Sequence, residues 1–180
     1  MISFDEAILL YRLANEVSDG CIVEVGSYRG RSTVALGRGS LDGSKAPVYA
    51  FDPHEEFTGI GGRRFGPHDR ASFYRAMLET ACYKAVRLIG LSSELVAPSW
   101  SRQIGMLFID GDRSYGAVKR DFECWAPFLL PNAKAAFAGS SDPNEGPARL
   151  IVELQQTTQF SQWQRIGDLT VLVKSDRKLN

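Results

Sequence analysis

Apolar and polar positions change period several times along the chain. Ser3-Phe4-Asp5-Glu6 has the Ser-x-x-Glu form in which two side chains cap each other's backbone N–H groups. It leads into Ile8, Leu9, Tyr11, Leu13 and Val17, a mostly amphipathic helix that ends near Gly20 and packs as an N-terminal lid. Short apolar runs then predict strands at Cys21 to Val25, Val48 to Phe51, Ala85 to Ile89, Met106 to Ile109 and Ala133 to Phe137. Between them, helical spacing predicts helices through Thr33, Val34 and Leu36, over Ala71 to Cys82, Ser92 to Trp100, Tyr115 to Leu129 and Gly146 to Thr158. Pro131-Asn132 is read as the stop of the fourth of these, and Trp125 and Phe128 as core positions on it. Trp163 to Ile166 and Leu169 to Val173, around Gly167-Asp168, carry the signal of a two-residue hairpin. Residues 53–69 hold four glycines and two prolines with little periodicity, and are predicted as an extended loop of the kind that serves binding. Alternating strands and helices place the chain in the α/β class, with helices on both faces of a parallel sheet.

Composition narrows the function classes. The 180 residues are 44% hydrophobic, enough for one self-sufficient core, so a single domain over 1–180 is expected, with 1–19 as the leading helix and 20–174 as its core. Lys plus Arg number 21 and Asp plus Glu 21, so no overall field draws the chain to nucleic acid or an anionic membrane, and neither is expected as a partner. The apolar runs are far shorter than the ~18 residues of a bilayer span, and no secretory leader is visible. Cys21, Cys82 and Cys124 stand singly and read as reduced, near-core thiols of a cytoplasmic protein.

Three strand ends carry chemistry. In Ile22-Val23-Glu24-Val25-Gly26-Ser27-Tyr28-Arg29-Gly30-Arg31-Ser32-Thr33, an apolar strand delivers an acid, two glycines four apart and a helix start. Gly26 lets the backbone turn and approach a ligand, Gly30 allows close helix packing, and the helix start offers free N–H groups. The pattern Glu-x-Gly-x-x-x-Gly departs from the dinucleotide fingerprint, and a carboxylate there suits a cationic amino-acid moiety better than a pyrophosphate. The plain alternative is a glycine-closed turn with a surface glutamate. Asp52, twenty-two residues past Gly30 at the end of the second strand, is placed to accept both hydroxyls of a ribose, or simply to cap the loop at Pro53. Met106-Leu107-Phe108-Ile109-Asp110-Gly111-Asp112 delivers two acids where ligands of open α/β sheets bind; they hold a metal, act as a base, or cap the next helix.

In that order, EVGSYRGRST, AFDPH and LFIDGDRSYGAVKRDFECWAPFL resemble class I S-adenosylmethionine-dependent methyltransferases, in their small-molecule O-methyltransferase-like branch with an Asp-Gly-Asp-His-Ser-Tyr signature. The branch includes the macrocin and cephalosporin-hydroxylase-like groups, and the resemblance covers about residues 20–174. It implies a Rossmann-like three-layer αβα sandwich whose seven-stranded, mostly parallel sheet has an antiparallel last strand. It also implies S-adenosylmethionine as cofactor, S-adenosylhomocysteine as product and a small-molecule acceptor, methylated at oxygen. Carried over, Glu24, Gly26 and Gly30 line the methionine end of the cofactor, with Ser27 adding backbone or hydroxyl contacts. Asp52 binds the ribose, Ser92 and Ser93 meet the adenine region, Asp110 lies beside the methionine moiety or a metal, and Asp112 and Arg113 face the acceptor.

The signature's histidine is here Arg113, which neither takes a proton nor ligates a metal. Where related sequences carry His-Asp after the fifth strand, this chain has Ala138-Gly139, and Asp142 comes three residues late. A metal is therefore not expected. The proton acceptor falls to Asp112 or to a loop histidine, His54 or His68, and Arg63 and Arg64 are candidates for holding an acidic substrate group. Phe57, Phe65, Tyr115 and Trp100 are candidate pocket walls. Two rivals remain: a cofactor-binding member of the same fold that transfers nothing, and a nicotinamide-dependent dehydrogenase, which the missing fingerprint and the charge of Glu24 oppose. Self-association into a homodimer is left open.

Overall fold

The structure is a computed structural model that describes residues 1–58, 62 and 64–176. The first helix, α1 (Phe4–Asn15), starts as its sequence dictates: Ser3 Oγ accepts the Glu6 N–H at 3.3 Å, and Glu6 Oε2 accepts the Ser3 N–H at 2.5 Å. The chain continues through β1 (Cys21–Val25), α2 (Arg31–Asp42), β2 (Val48–Phe51), the short β3 (Phe57–Thr58) and β4 (Arg64–Phe65), and α3 (Pro67–Glu79). Next come β5 (Val86–Ile89), α4 (Ser93–Val96), β6 (Ile104–Ile109) and α5 (Tyr115–Trp125). The last elements are β7 (Leu129–Phe137), α6 (Gly146–Gln156), β8 (Phe160–Ile166) and β9 (Leu169–Lys174).

Seven strands form one sheet in the order β5-β2-β1-β6-β7-β9-β8, all parallel except β9, which runs antiparallel to both β7 and β8. The expected three-layer sandwich with an antiparallel final strand is therefore present. Strand alternation sorts the core into two layers. Ile22, Met106, Phe108, Ala136 and Val171 pack beneath α1, α2 and α3 with Leu10, Leu36 and Phe73. Val23, Leu107, Ile109, Phe137 and Leu172 pack on the other face with Phe122, Trp125 and Leu150 of α5 and α6. Because β1 leads to β2 on one side and lies beside β6 on the other, the strand order reverses there, and the carboxyl ends of β1, β2 and β6 border a crevice.

Several boundaries differ from the sequence reading. The stretch 53–69 is not one open loop: Phe57 pairs with Phe65 and Thr58 with Arg64, and α3 begins at Pro67 rather than Ala71, ending at Glu79. Proline at the first helical turn needs no N–H partner, so it starts this helix. Helix α5 stops at Trp125, and the following strand begins at Leu129 rather than after Pro131-Asn132. There Ile104 pairs with Leu129 while Met106 pairs with Lys134, so the residues between them bulge out of register and the missing N–H of Pro131 breaks no ladder. All three cysteines are free; Cys21 and Cys82 are buried and Cys124 is half-buried. Among the described residues no helix is long and apolar enough to cross a membrane.

Candidate functional site

At the carboxyl edge the exits of β1 and β6 run against each other. Gly26 has φ +87°, its N–H donates to the Phe51 carbonyl at 2.9 Å, and a Cβ on it would sit 2.4 Å from the Asp110 carbonyl oxygen. Glycine is required here by the turn itself and by the backbone of Asp110. Gly30, also at φ +87°, caps α2, and a Cβ there would press on Met77 and Phe73 at 3.2 Å, so its absence lets α3 close over the start of α2.

Glu24 is wholly buried, since it shares the face of Ile22 and points under α2. Thr33 Oγ1 donates to its Oε2 at 2.5 Å, while Oε1 has no partner. Burial pushes this carboxyl up to about 8, with Asp110 and Asp52 adding repulsion and the Ser32 and Thr33 hydroxyls opposing. Ser27, three residues on, is buried with its Oγ unpartnered. Buried polar atoms are almost always hydrogen-bonded, so these two, one near the end of β1 and one on the turn after it, call for an ordered water or a ligand's polar group.

Asp52 is held by backbone. Its Oδ2 accepts the Tyr28 N–H at 2.7 Å and its Oδ1 the His54 N–H at 2.9 Å, which leaves each oxygen a further lone pair. His54 does not stand in a solvated loop. It is buried at φ +52°, with Nε2 2.8 Å from the Tyr28 carbonyl and Nδ1 3.0 Å from the Asp52 carbonyl. Nε2 ties the β2 turn to the β1 turn through the Tyr28 carbonyl, while Nδ1 faces the Asp52 carbonyl of its own turn; a neutral ring donates to one of the two, so the base expected at His54 is a buried ring engaged with backbone. The other loop histidine, His68, is exposed, 3.4 Å from Asp69. Asp69 is a buried anchor that sequence reading missed: it accepts from Arg29 Nε at 2.7 Å and from the Gly66 N–H at 3.0 Å, joining the helix start of α3 to the β1 turn. Asp69 stands three residues after Gly66, the spacing of a reciprocal cap, and that was its only signal. Phe65 of the small hairpin meets the Tyr28 ring edge-on at 5.0 Å. Arg64 is exposed, and Arg63 and the side chain of Phe57 lie outside the described residues.

After β5, Ser92 opens α4, and the Ser93 hydroxyl is consumed inside: it accepts Trp125 Nε1–H at 3.0 Å and bonds the Asp121 carboxylate. Trp100 is half-buried and packs edge-on against Tyr49 at 5.0 Å and Trp125 at 5.3 Å. Tyr115 is likewise occupied, its hydroxyl bonding Glu153 and its ring lying under Arg149 at 4.5 Å.

The third exit is the most charged. Asp110 lines a small cavity with Ile2, Glu6, Arg113, Ala138 and Asp168. Burial raises its carboxyl to about 6, opposed chiefly by Arg113 and reinforced by Asp168 and Glu6. Asp112 is exposed; its Oδ1 accepts the Ser114 N–H at 2.8 Å and turns the chain into α5. Arg113 reaches sideways, with Nη1 3.3 Å from Glu145 Oε2 and 3.5 Å from Asp168 Oδ2. Asp142 is exposed and accepts from Asn144, away from this cluster. Among the described residues no group of three His, Cys, Asp or Glu side chains has the arrangement of a metal site. A cavity of about 340 Å³ opens at the amino ends of β6 and β7, lined by Val17, Gly105, Pro131, Asn132 and Lys134 among others; none of the candidate residues borders it.

The profile of a family described as a methyltransferase domain matches residues 23–137. Among solved structures, the fold is similar to the O-methyltransferase from Bacillus cereus in complex with SAH, at TM-score 0.73 and 18% identity, covering 97% of this chain and 83% of that one. It is similar to the O-methyltransferase TomG from Streptomyces achromogenes, involved in tomaymycin synthesis and in complex with SAM, at 0.72 and 16%, covering 97% and 82%. It is also similar to the SAH-bound Podospora anserina methyltransferase PaMTH1, at 0.72 and 15%, covering 98% and 80%.

Proposed function

This chain belongs to the methyltransferase domain family, and from that premise we propose that it transfers a methyl group from S-adenosylmethionine to an oxygen of a small-molecule acceptor, leaving S-adenosylhomocysteine. The observation that carries the reading is the pair of buried, unpartnered atoms Glu24 Oε1 and Ser27 Oγ, near the end of β1 and on the turn after it, which Asp52 grips through the Tyr28 N–H. A cationic amino acid joined to a nucleoside fits that set: the acid and the hydroxyl meet the charged end, and the spare lone pairs of Asp52 meet the ribose hydroxyls. Gly26 and Gly30 shape the same turn, Asp110 borders the methionine end, and Ser92 and Ser93 the adenine edge, Ser93 through its backbone because its hydroxyl is taken.

When bound, the cofactor supplies an electrophilic methyl carbon on a sulfonium, so alignment is most of what the protein must provide. Asp112 and Arg113 form the acceptor side. Asp112 takes the acceptor's proton in this reading: it is exposed, and only its Oδ1 is engaged by the Ser114 N–H, while the exposed His68 is the loop histidine that rivals it.

Thermal-shift titration tests the reading. S-adenosylhomocysteine and S-adenosylmethionine should raise the unfolding midpoint with concentration, as a ligand of the native state must, and NAD should not. Stabilisation by NAD alone overturns it. The rival, a binder that transfers nothing, draws on Arg113 and Ala138-Gly139 standing where the family's signature residues would be; it predicts the same shift with no methylated product from a panel of hydroxylated and carboxylated small molecules.

A further inference from the structure

Three carboxylates, Asp110, Glu6 and Asp168, line one small cavity at the exits of β6 and β7, and a fourth, Glu145, is joined to them through Arg113. Asp110 ends β6, Glu145 precedes α6, Asp168 sits in the β8–β9 turn, and Glu6 reaches over from α1, its Oε1 accepting the Asp168 N–H at 2.6 Å. Clustered carboxylate oxygens are what a hard divalent cation takes. Here the residues do not fit one, because the cluster already holds a cation that belongs to the chain. Arg113 Nη1 lies between Glu145 and Asp168, and the same guanidinium is the main favourable charge on Asp110. Its room lies over a glycine at the neighbouring strand end. Gly139 has no side chain, and a Cβ there would stand 2.8 Å from Arg113 Nε and 3.0 Å from Cζ. A side chain at 139 would require the Arg113 guanidinium to move from its present place.

We infer that Arg113 is the resident cation of this corner, the charge that compensates Glu145, Asp168 and, through space, Asp110, so that an acceptor oxygen meets a guanidinium and no metal is used. The word acceptor rests on the methyl-transfer reading; the exclusion of metal does not. A guanidinium keeps its charge at every working pH and is directional, so the site needs no loading step and selects for oxygens that lie in its plane.

Manganese(II) alone is the probe, followed by the loss of its free-ion electron paramagnetic resonance signal and by thermal shift. The wild-type chain should take up none at this corner, and Arg113→Lys, which keeps a positive charge, should behave the same. Arg113→Ala should bind the ion about tenfold or more tightly than wild type, because it leaves the carboxylates uncompensated. Arg113→His with Gly139→Asp should bind it more tightly still. Uptake by wild type that Asp168→Asn abolishes, or a folded Arg113→Ala chain as indifferent to manganese as wild type, overturns the inference. Should Arg113→Ala not fold, Arg113→Gln serves in its place and the wild-type titration stands by itself. S-adenosylhomocysteine titrated into wild type decides the methyl-transfer reading separately.

Discussion

The side chain of Arg113 occupies the space that a β-carbon on Gly139, at φ +72°, would take. Gly139→Ala should therefore lose about 1 to 3 kcal/mol, from the left-handed backbone and from collision with the guanidinium. Adding Arg113→Ala removes the collision and leaves the backbone strain, so the second substitution should return part of the loss. Urea denaturation of the four chains in the cycle gives the coupling between the two residues; simple additivity would mean that they do not touch in solution.

Glu24 makes stability depend on pH in a definite direction. Its carboxyl holds a proton up to about 8 when folded against an ordinary value of 4.5, so the folded chain binds more protons than the unfolded one in that window. The stabilisation is whole below about 4.5 and is lost as pH rises towards 8. Asp110, raised to about 6, adds a smaller fall in the same sense. In the absence of ligand, the unfolding midpoint of Glu24→Gln should decline less between pH 5 and 8 than that of wild type. Parallel curves would remove Glu24 from the account.

His54→Ala separates an anchor from a base. As an anchor, it leaves the carbonyls of Tyr28 and Asp52 without the ring, costs about 1 to 3 kcal/mol of stability and weakens S-adenosylhomocysteine binding by loosening Asp52. A base would instead show an intact affinity and the loss of one limb of the pH profile of kcat.

Ser93→Ala strands the buried Trp125 indole N–H and should cost about 1 to 3 kcal/mol in denaturant unfolding. Affinity for S-adenosylhomocysteine, measured calorimetrically, should stay as in wild type, because the hydroxyl already faces inward. A drop in affinity without a drop in stability would put that hydroxyl on the ligand.

Local signals were readable and distant compensations were not. The capping pair Ser3 and Glu6, the apolar runs of β1, β2 and β6, and the Gly167-Asp168 turn act between near neighbours, and each formed where its pattern pointed. The start of β7 was hidden because Pro131 is ordinarily a stop, and only a bulge facing Ile104 and Met106 admits it. The positions of Glu24, Asp52 and Asp110 at strand ends were legible from apolar runs followed by acids. The engagement of His54 was not, since it depends on a carbonyl 26 residues away. Arg113 and Gly139 looked like two separate losses in the sequence, and in space they are one exchange of volume.

The bond from Glu6 to the Asp168 N–H spans 162 positions of the chain. During synthesis, the corner around Arg113 must wait for the final hairpin to emerge and dock against α1. A chain cut short before that hairpin would lack the Asp168 partner of both Glu6 and Arg113.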